Sequence, residues 1–315
     1  MSPIKLGISA CLAGQKTRYD GGHRWDRFLT DTMGCYLELV PICPEAECGL
    51  GVPREPMRLT GRPEAPRLLT VRTGRDLTGR LAAWIERKMG QLATENLSGF
   101  IFKSKSPSCG PARVKVYDEQ GKITAQGTGL FARAFQDYFP LVPVEDEGRL
   151  HDPEIRDNFL EQLFFWRRWR DLGAQKPKLG DLVAFHSRHK YQLLAHSNEY
   201  YRQMGRLVAR AGEMPLPEAL IAYRALALAA LRLKSTASKN ANVLYHVLGY
   251  FKKRLSNGDK QELLEAIESY RRGEAPLIVP VTLINHYVRK YQEPYLKGQT
   301  YLNPDPLELR LRNHA

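Results

Sequence analysis

The apolar pattern of this 315-residue chain changes period once, at "VEDEGRLHDPE" (144–154), and that break limits the folds open to it. Before the break, short segments rich in β-formers ("IKLGIS", "CYLELVPI", "GFIFKS") alternate with a helical segment. That segment, "LTGRLAAWIERKMGQL", sets Leu81, Trp84, Ile85, Met89 and Leu92 on one face. Such alternation predicts a parallel, Rossmann-like sheet covered by helices. After the break every segment is helical. "PEIRDNFLEQLFFWRRWRDLG" opens on a proline and stops at a glycine, and "GDKQELLEAIESYRRG" places acids early and arginines late, as the helix dipole favours. "EALIAYRALALAALRLK" and "ANVLYHVLGYFKKRL" add two more. The expected architecture is an α/β N-terminal domain, residues 1–148, followed by an all-α C-terminal domain of about five or six helices, residues 149–315.

The 43% of hydrophobic residues suffices for two cores. No apolar run reaches the ~18 residues of a membrane span, and the opening stretch lacks the build of a signal peptide. The expectation is a soluble, cytoplasmic protein without a membrane partner. The formal net charge of +13 is unevenly spread, since residues 151–315 carry 26 Lys+Arg against 17 Asp+Glu. A basic second half suits a polyanionic partner, through counterion release, as well as plain solubility.

All five cysteines (Cys11, Cys35, Cys43, Cys48, Cys109) lie in the first 109 residues, an odd and widely spaced set that does not read as a disulfide framework. Cys11, Cys43 and Cys109 each follow one predicted strand. In a parallel sheet those strand ends share the carboxyl edge, where α/β proteins bind ligands. Each thiol sits among small or turn-forming neighbours, in "SACLAG", "ICPEAECG" and "SPSCGP". Three thiolates converging on one point suit zinc with an open position or a cubane iron–sulfur cluster, and the spacings do not choose between them. The alternative is three buried thiols acting as small apolar side chains. Glu45, two residues after Cys43, and Ser106, three before Cys109, are placed for proton chemistry. Arg18, Tyr19 and Asp20 in "TRYDGG", and Arg54 in "GVPRE", lie in loops able to hold a nucleotide, although "YDGG" also reads as a turn.

In the second half, basic and aromatic residues interleave. "FFWRRWR" sets Arg167, Arg168 and Arg170 among Trp166 and Trp169, "FHSRHKY" carries Arg188 and Lys190, and "FKKRL" carries Lys252 and Lys253. Such residues bind RNA when the cations reach phosphates and the rings are free to stack. The same pattern is produced by an ordinary amphipathic helix.

Taken together, "ISACLAGQKTRYDGG", "PICPEAECGLGVPR" and "FKSKSPSCG" resemble the signature stretches of TudS-type thiouracil desulfidases, over about residues 1–145. "FHSRHKYQLLAHS", "NANVLYHVLGYFKKRL" and "LIVPVTLINHYVRKYQEPYL" resemble the YbgA-type helical domain, and the combination resembles the RudS-type desulfidases of thiolated tRNA. The resemblance implies a [4Fe-4S] cluster held by Cys11, Cys43 and Cys109, whose remaining iron takes the sulfur of a thiolated pyrimidine. It also implies Glu45 as acid/base and Ser106 as assisting serine. One departure is "ECGL", which puts Cys48 five residues after Cys43 as an alternative second ligand. The expected activity is conversion of 4-thiouridine in tRNA to uridine and sulfide. Alternatives are the same chemistry on free thiouracil or thionucleotides, with the helical domain used for oligomerisation, and a non-catalytic RNA-binding protein with structural zinc. The oligomeric state is not readable from the sequence.

Overall fold

In the computed structural model, which describes residues 4–308, the first half carries β1 (Lys5–Ser9), β2 (Glu38–Ile42), β3 (Met57–Arg62), β4 (Ala65–Thr70), β5 (Gly99–Phe102), β6 (Val114–Tyr117), β7 (Ile123–Gly127) and β8 (Val144–Asp146). One sheet has the order β2-β1-β5-β8 with every neighbouring pair parallel. Lys5 lies opposite Glu38, Leu6 opposite Gly99 and Phe100 opposite Val144. All of β5 is buried and so are the last four residues of β1, as a strand covered on both faces requires.

The helices of this half are α1 (Pro44–Glu47), α2 (Thr78–Glu95) and α3 (Leu130–Tyr138). The buried face of α2 is Leu81, Trp84, Ile85, Met89 and Leu92, the face its spacing marks. Trp84 meets Phe131 of α3 at 5.5 Å between ring centroids. Phe131 and Phe135 in turn close on Phe100 and Phe102 of β5, at 5.0 to 5.9 Å. Burial of each such ring contributes roughly 1.5–3 kcal/mol, which ties α3 to the central strand.

A second sheet, in the order β4-β3-β6-β7, is an addition to the predicted architecture. It joins two antiparallel hairpins through a parallel β3–β6 pairing. Its strands are short and charged; in "MRLTGR" only Leu59 and Thr60 are buried. The alternation in β4 and in "VKVY" of β6 is too short to mark a sheet by itself.

The second half is all-α, as expected. It begins with α4 (Pro153–Ala174), which starts at the predicted proline, and two compact units divide inside this helix between Arg167 and Arg168. Then come α5 (Leu179–His196), α6 (Asn198–Ala209), α7 (Leu216–Arg232), α8 (Ala237–Leu248), α9 (Asn257–Arg271), α10 (Ile278–Lys290) and the single turn α11 (Pro294–Lys297). Ser197, Thr236 and Ser256 start α6, α8 and α9, each side chain accepting from the amide three residues on. Tyr191, Leu244, Val247, Phe251, Leu263 and Ile284 lie at the core of this unit. No described helix is long and apolar enough to cross a membrane.

Candidate active site

Three adjacent strands of the parallel sheet each lead to a thiol at the carboxyl edge. Cys43 follows β2 directly, Cys11 lies just past β1, and Cys109 follows β5 after a turn. All three line one cavity of about 380 Å³, together with Arg18, Tyr19, Glu45, Arg54, Lys103 and Ser106. Cys48 is not in that lining. It closes the far end of α1, where its thiol donates to the Glu45 carbonyl at 3.3 Å. Cys35 is exposed elsewhere, its thiol donating to the Asp31 carbonyl.

Local sequence explains how each thiol is held. Cys43 is the N-cap of α1, with Pro44 in the first helical position, and its sulfur accepts the Ala46 amide at 3.4 Å. Cys109 belongs to a turn whose Ser106 hydroxyl accepts the Cys109 amide at 3.1 Å. The turn is gripped from outside by the start of α3. Leu130 N–H donates to the Pro107 carbonyl at 3.1 Å and Phe131 N–H to that of Ser108 at 2.9 Å, which satisfies amides a helix start leaves open. A Cβ on Gly110 would lie 2.4 Å from Val114 Cγ2, so the turn needs glycine there.

Burial pushes the Cys11 thiol up to about 11. The neighbouring Cys43 adds to the rise, while Lys103 and Arg18 oppose it. Cys109, fully buried, is pushed well above its ordinary value of 9.0, first by desolvation and then by Glu45 and Cys43. The thiols thus act on one another electrostatically. Among the described residues, no three His, Cys, Asp or Glu side chains are grouped to hold one metal ion. The donor set, three thiols spread around a cavity, fits a multi-atom cluster better than a single ion, whose thiolate bonds are only ~2.3 Å long.

Glu45 points its carboxylate between two partners. Arg54 Nε donates to Oε2 at 2.9 Å, and the Ser108 hydroxyl donates to Oε1. The side chains of Arg54 and Glu45 are only 6% and 13% exposed. Ser108, absent from the sequence reading, is therefore the serine in contact with the carboxylate. Ser106 lines the cavity and lies 3.1 Å from the Ser108 hydroxyl, so a chain of hydroxyls runs from the cavity to Glu45. Nothing in "SPSC" distinguishes the two serines, since which one meets Glu45 depends on the fold of the turn.

Two of the residues assigned to substrate do other work. Arg54 also donates to the carbonyls of Thr17 and Gly51, both at 2.9 Å, so it is fixed in place and orients Glu45 at the cavity wall. Asp20 lies outside the cavity lining, because its carboxylate holds the Arg18 guanidinium at 3.0 Å and caps the Gly22 amide. Arg18 and Tyr19 do line the cavity. Lys103 was also not anticipated. It pairs with Glu147 while facing the cavity, and its position at the end of β5 in "FKSKSPSC" was the available signal.

In the second half, Arg188, Lys252 and Lys253 are exposed, and Lys190 lies over the Tyr191 ring at 5.1 Å. Arg167 and Arg170 are half-buried, and Arg168 is paired with Glu308 at 3.0 Å. Trp166 and Trp169 are buried, and Trp169 stacks on Tyr223, so these rings are not platforms for bases.

An open parallel sheet that brings three thiols and a shielded carboxylate to its carboxyl edge defines an α/β protein with a thiol-lined cavity at the ligand-binding edge of its sheet. Residues 6–147 match the family model described as 2-thiouracil desulfurase, and residues 190–306 match DUF1722, described as a protein of unknown function. The chain is 37% identical over 158 residues to the YbgA protein of Escherichia coli (strain K12), covering 50% of this chain and 94% of that one. It is 30% identical over 129 residues to YbbK of Bacillus subtilis (strain 168), covering 38% and 83%. It is also similar to a solved [4Fe-4S]-dependent thiouracil desulfidase, TudS, at 27% identity over 47% of this chain and 94% of that one, with a TM-score of 0.39. The chain belongs to the 2-thiouracil desulfurase family through its first half and to the YbgA-like DUF1722 family through its second.

Proposed function

We propose that this protein is a cytoplasmic enzyme that removes sulfur from 4-thiouridine in tRNA, leaving uridine and sulfide, with a [4Fe-4S] cluster held by Cys11, Cys43 and Cys109. The observation that carries the reading is the convergence of three thiols and one buried carboxylate on a single cavity of about 380 Å³, room for a nucleobase beside a cluster. When bound, such a cluster supplies an iron without a protein thiolate, a soft site for a thiocarbonyl sulfur.

The chain's own groups supply the rest. Glu45, oriented by Arg54 and Ser108, takes a proton from the attacking water. The water oxygen bonds to the ring carbon as the C–S bond breaks, sulfur leaves as sulfide, and no electrons enter or leave overall. Ser106 and Ser108 offer the proton a path between carboxylate and cavity. Arg18 and Tyr19 line the entrance available to the ribose or phosphate. The exposed Arg188, Lys252 and Lys253, with Lys190, Arg167 and Arg170, are the helical domain's contribution to RNA binding. Arg168, paired with Glu308, is left out.

The test is to incubate anaerobically reconstituted protein with bulk thiolated tRNA, and separately with free thionucleotide, following loss of near-ultraviolet thiouridine absorbance. Turnover of tRNA is expected. Turnover of the free nucleotide alone would replace the tRNA reading with that of a small-molecule desulfidase.

A further inference from the structure

Beside the cavity, and sharing Met57, Ser104, Lys105 and Pro107 with it, runs a larger groove of about 700 Å³. Five cations line it (Arg58, Lys105, Arg113, Lys115 and Arg149) against one carboxylate, Asp146. Two of the five are neutralised within the domain. Arg113 lies 3.9 Å from Asp146, and Arg149 donates to Glu145 at 2.8 Å. Arg58, Lys105 and Lys115 have no carboxylate partner among the described residues.

Arg58 is the most informative of the three. Its Nε is buried without a hydrogen-bond partner, and its guanidinium lies over the Tyr117 ring at 5.4 Å. A guanidinium nitrogen buried without a partner is unfavourable, so the half-buried Arg58, beside the exposed Lys105 and Lys115, is better satisfied with an anion bound in the groove. Three such cations exceed what the single phosphate of a mononucleotide neutralises. Spaced along a groove larger than the cavity, with an aromatic ring among them, they match successive phosphates of a single strand.

We infer that this groove holds the phosphodiester backbone flanking the base in the cavity, so that the desulfurase domain itself grips single-stranded polynucleotide. The inference rests on the desulfidase reading for what fills the cavity, but binding is measured without turnover.

The experiment uses the full chain and a fluorescein-labelled, unthiolated uridine decanucleotide, with anisotropy recorded across a salt series. Arg58→Gln combined with Lys115→Glu is expected to weaken binding about tenfold or more. It should also reduce the slope of log affinity against log salt by about 1.4, as loss of two phosphate contacts requires. Melting curves check that the double variant folds, and Lys115→Glu alone, an exposed strand position, gives the same reading in reduced form if it does not. Unchanged affinity in the groove variants, beside loss in Lys252→Glu with Lys253→Glu, overturns the proposal and moves the contact to the helical domain. Competition by uridine monophosphate as effective, per phosphate, as that by the decanucleotide also overturns it, because the groove then takes a lone phosphate. A wild-type protein that binds the decanucleotide through these residues but releases no sulfide from thiolated substrates would support the groove while removing the desulfidase reading.

Discussion

At Glu45 the consequences of a few contacts can be read one residue at a time. Its carboxylate is shielded from water and accepts from a guanidinium and a hydroxyl, so it is oriented before any substrate arrives. Glu45→Ala is expected to keep the thiol-bound cluster but lose about 10²–10⁴-fold in turnover, the usual range for a general base. The two serines separate cleanly. Ser108→Ala removes a donor to a charged carboxylate, an interaction worth roughly 1.5–3 kcal/mol, so kcat should fall about 10- to 100-fold with iron content unchanged. Ser106→Ala interrupts the hydroxyl path as well but also releases the Cys109 amide, so reduced iron per protein is what sets it apart from Ser108→Ala. If both variants lost turnover and kept full iron, Ser106 would belong with Glu45 and not with the ligand turn. The sequence made Glu45 and the thiols legible because each stands beside a strand end. It could not make Ser108 legible, because that contact spans 63 residues and exists only once two loops have met.

At the level of elements, the third thiol depends on a helix that contributes no side chain to the cavity lining. The first amides of α3 hold the carbonyls of Pro107 and Ser108, and Gly129 passes so close that a Cβ there would lie 2.7 Å from the Ser108 carbonyl and 2.9 Å from the Cys109 amide nitrogen. Both neighbours are backbone and cannot swing away. Gly129→Ala should therefore displace Cys109 and reduce the iron bound on anaerobic reconstitution, while the melting of the helical domain is unaffected. α1 gives a sharper comparison. Cys43→Ser removes a thiol from the cavity and should prevent a full cluster, whereas Cys48→Ser, at the far end of that helix, should leave iron content near wild type. A full cluster in Cys43→Ser would reverse the assignment. Legibility differs between elements for a plain reason. The parallel strands and α2 bury continuous or periodic apolar residues, so their pattern survives in the sequence. The strands of the second sheet bury none to three residues each, and the alternation present in β4 and β6 spans only four to six residues, too short to stand out from the turns around it. The tryptophans of α4 stayed open between two readings in the sequence, since an interleaved basic and aromatic run is the same string whether its rings face core or solvent, and here they are buried, as in the amphipathic reading.

For the whole molecule, buried titratable groups give the helical half an acid response and the first half an alkaline one. The alkaline response begins near pH 9, below the pH at which the buried tyrosines of the helical half, Tyr191 and Tyr223 among them, come into play. In the helical half, burial followed by the charge of Arg168 pushes His189 well below its ordinary value of 6.5, and burial followed by Lys190 pushes His186 down as well. Below about pH 6.5 the unfolded chain takes up protons that the folded chain refuses. The unfolded state then binds more protons, and stability falls as pH falls, by up to ~1.4 kcal/mol per pH unit for each histidine until its folded pKa is reached. In the cluster-free first half the thiols act the other way. Cys11 is raised to about 11 and Cys109 well above 9.0, both first by burial, so above pH 9 the unfolded chain loses protons that the folded chain keeps. Stability there falls as pH rises, from about 9 to about 11 for Cys11, by up to ~1.4 kcal/mol per pH unit for each thiol. Calorimetry of the cluster-free protein should accordingly resolve two transitions, that of the helical half moving down in temperature between pH 7 and 5 and that of the first half between pH 9 and 10, before the unfolded chain's tyrosines ionise. His189→Gln should flatten only the acid response. Loading the cluster should abolish only the alkaline one, since a ligated thiolate has already lost its proton. An alkaline response that survives full iron loading would mean that Cys11 and Cys109 are not the groups that bind it.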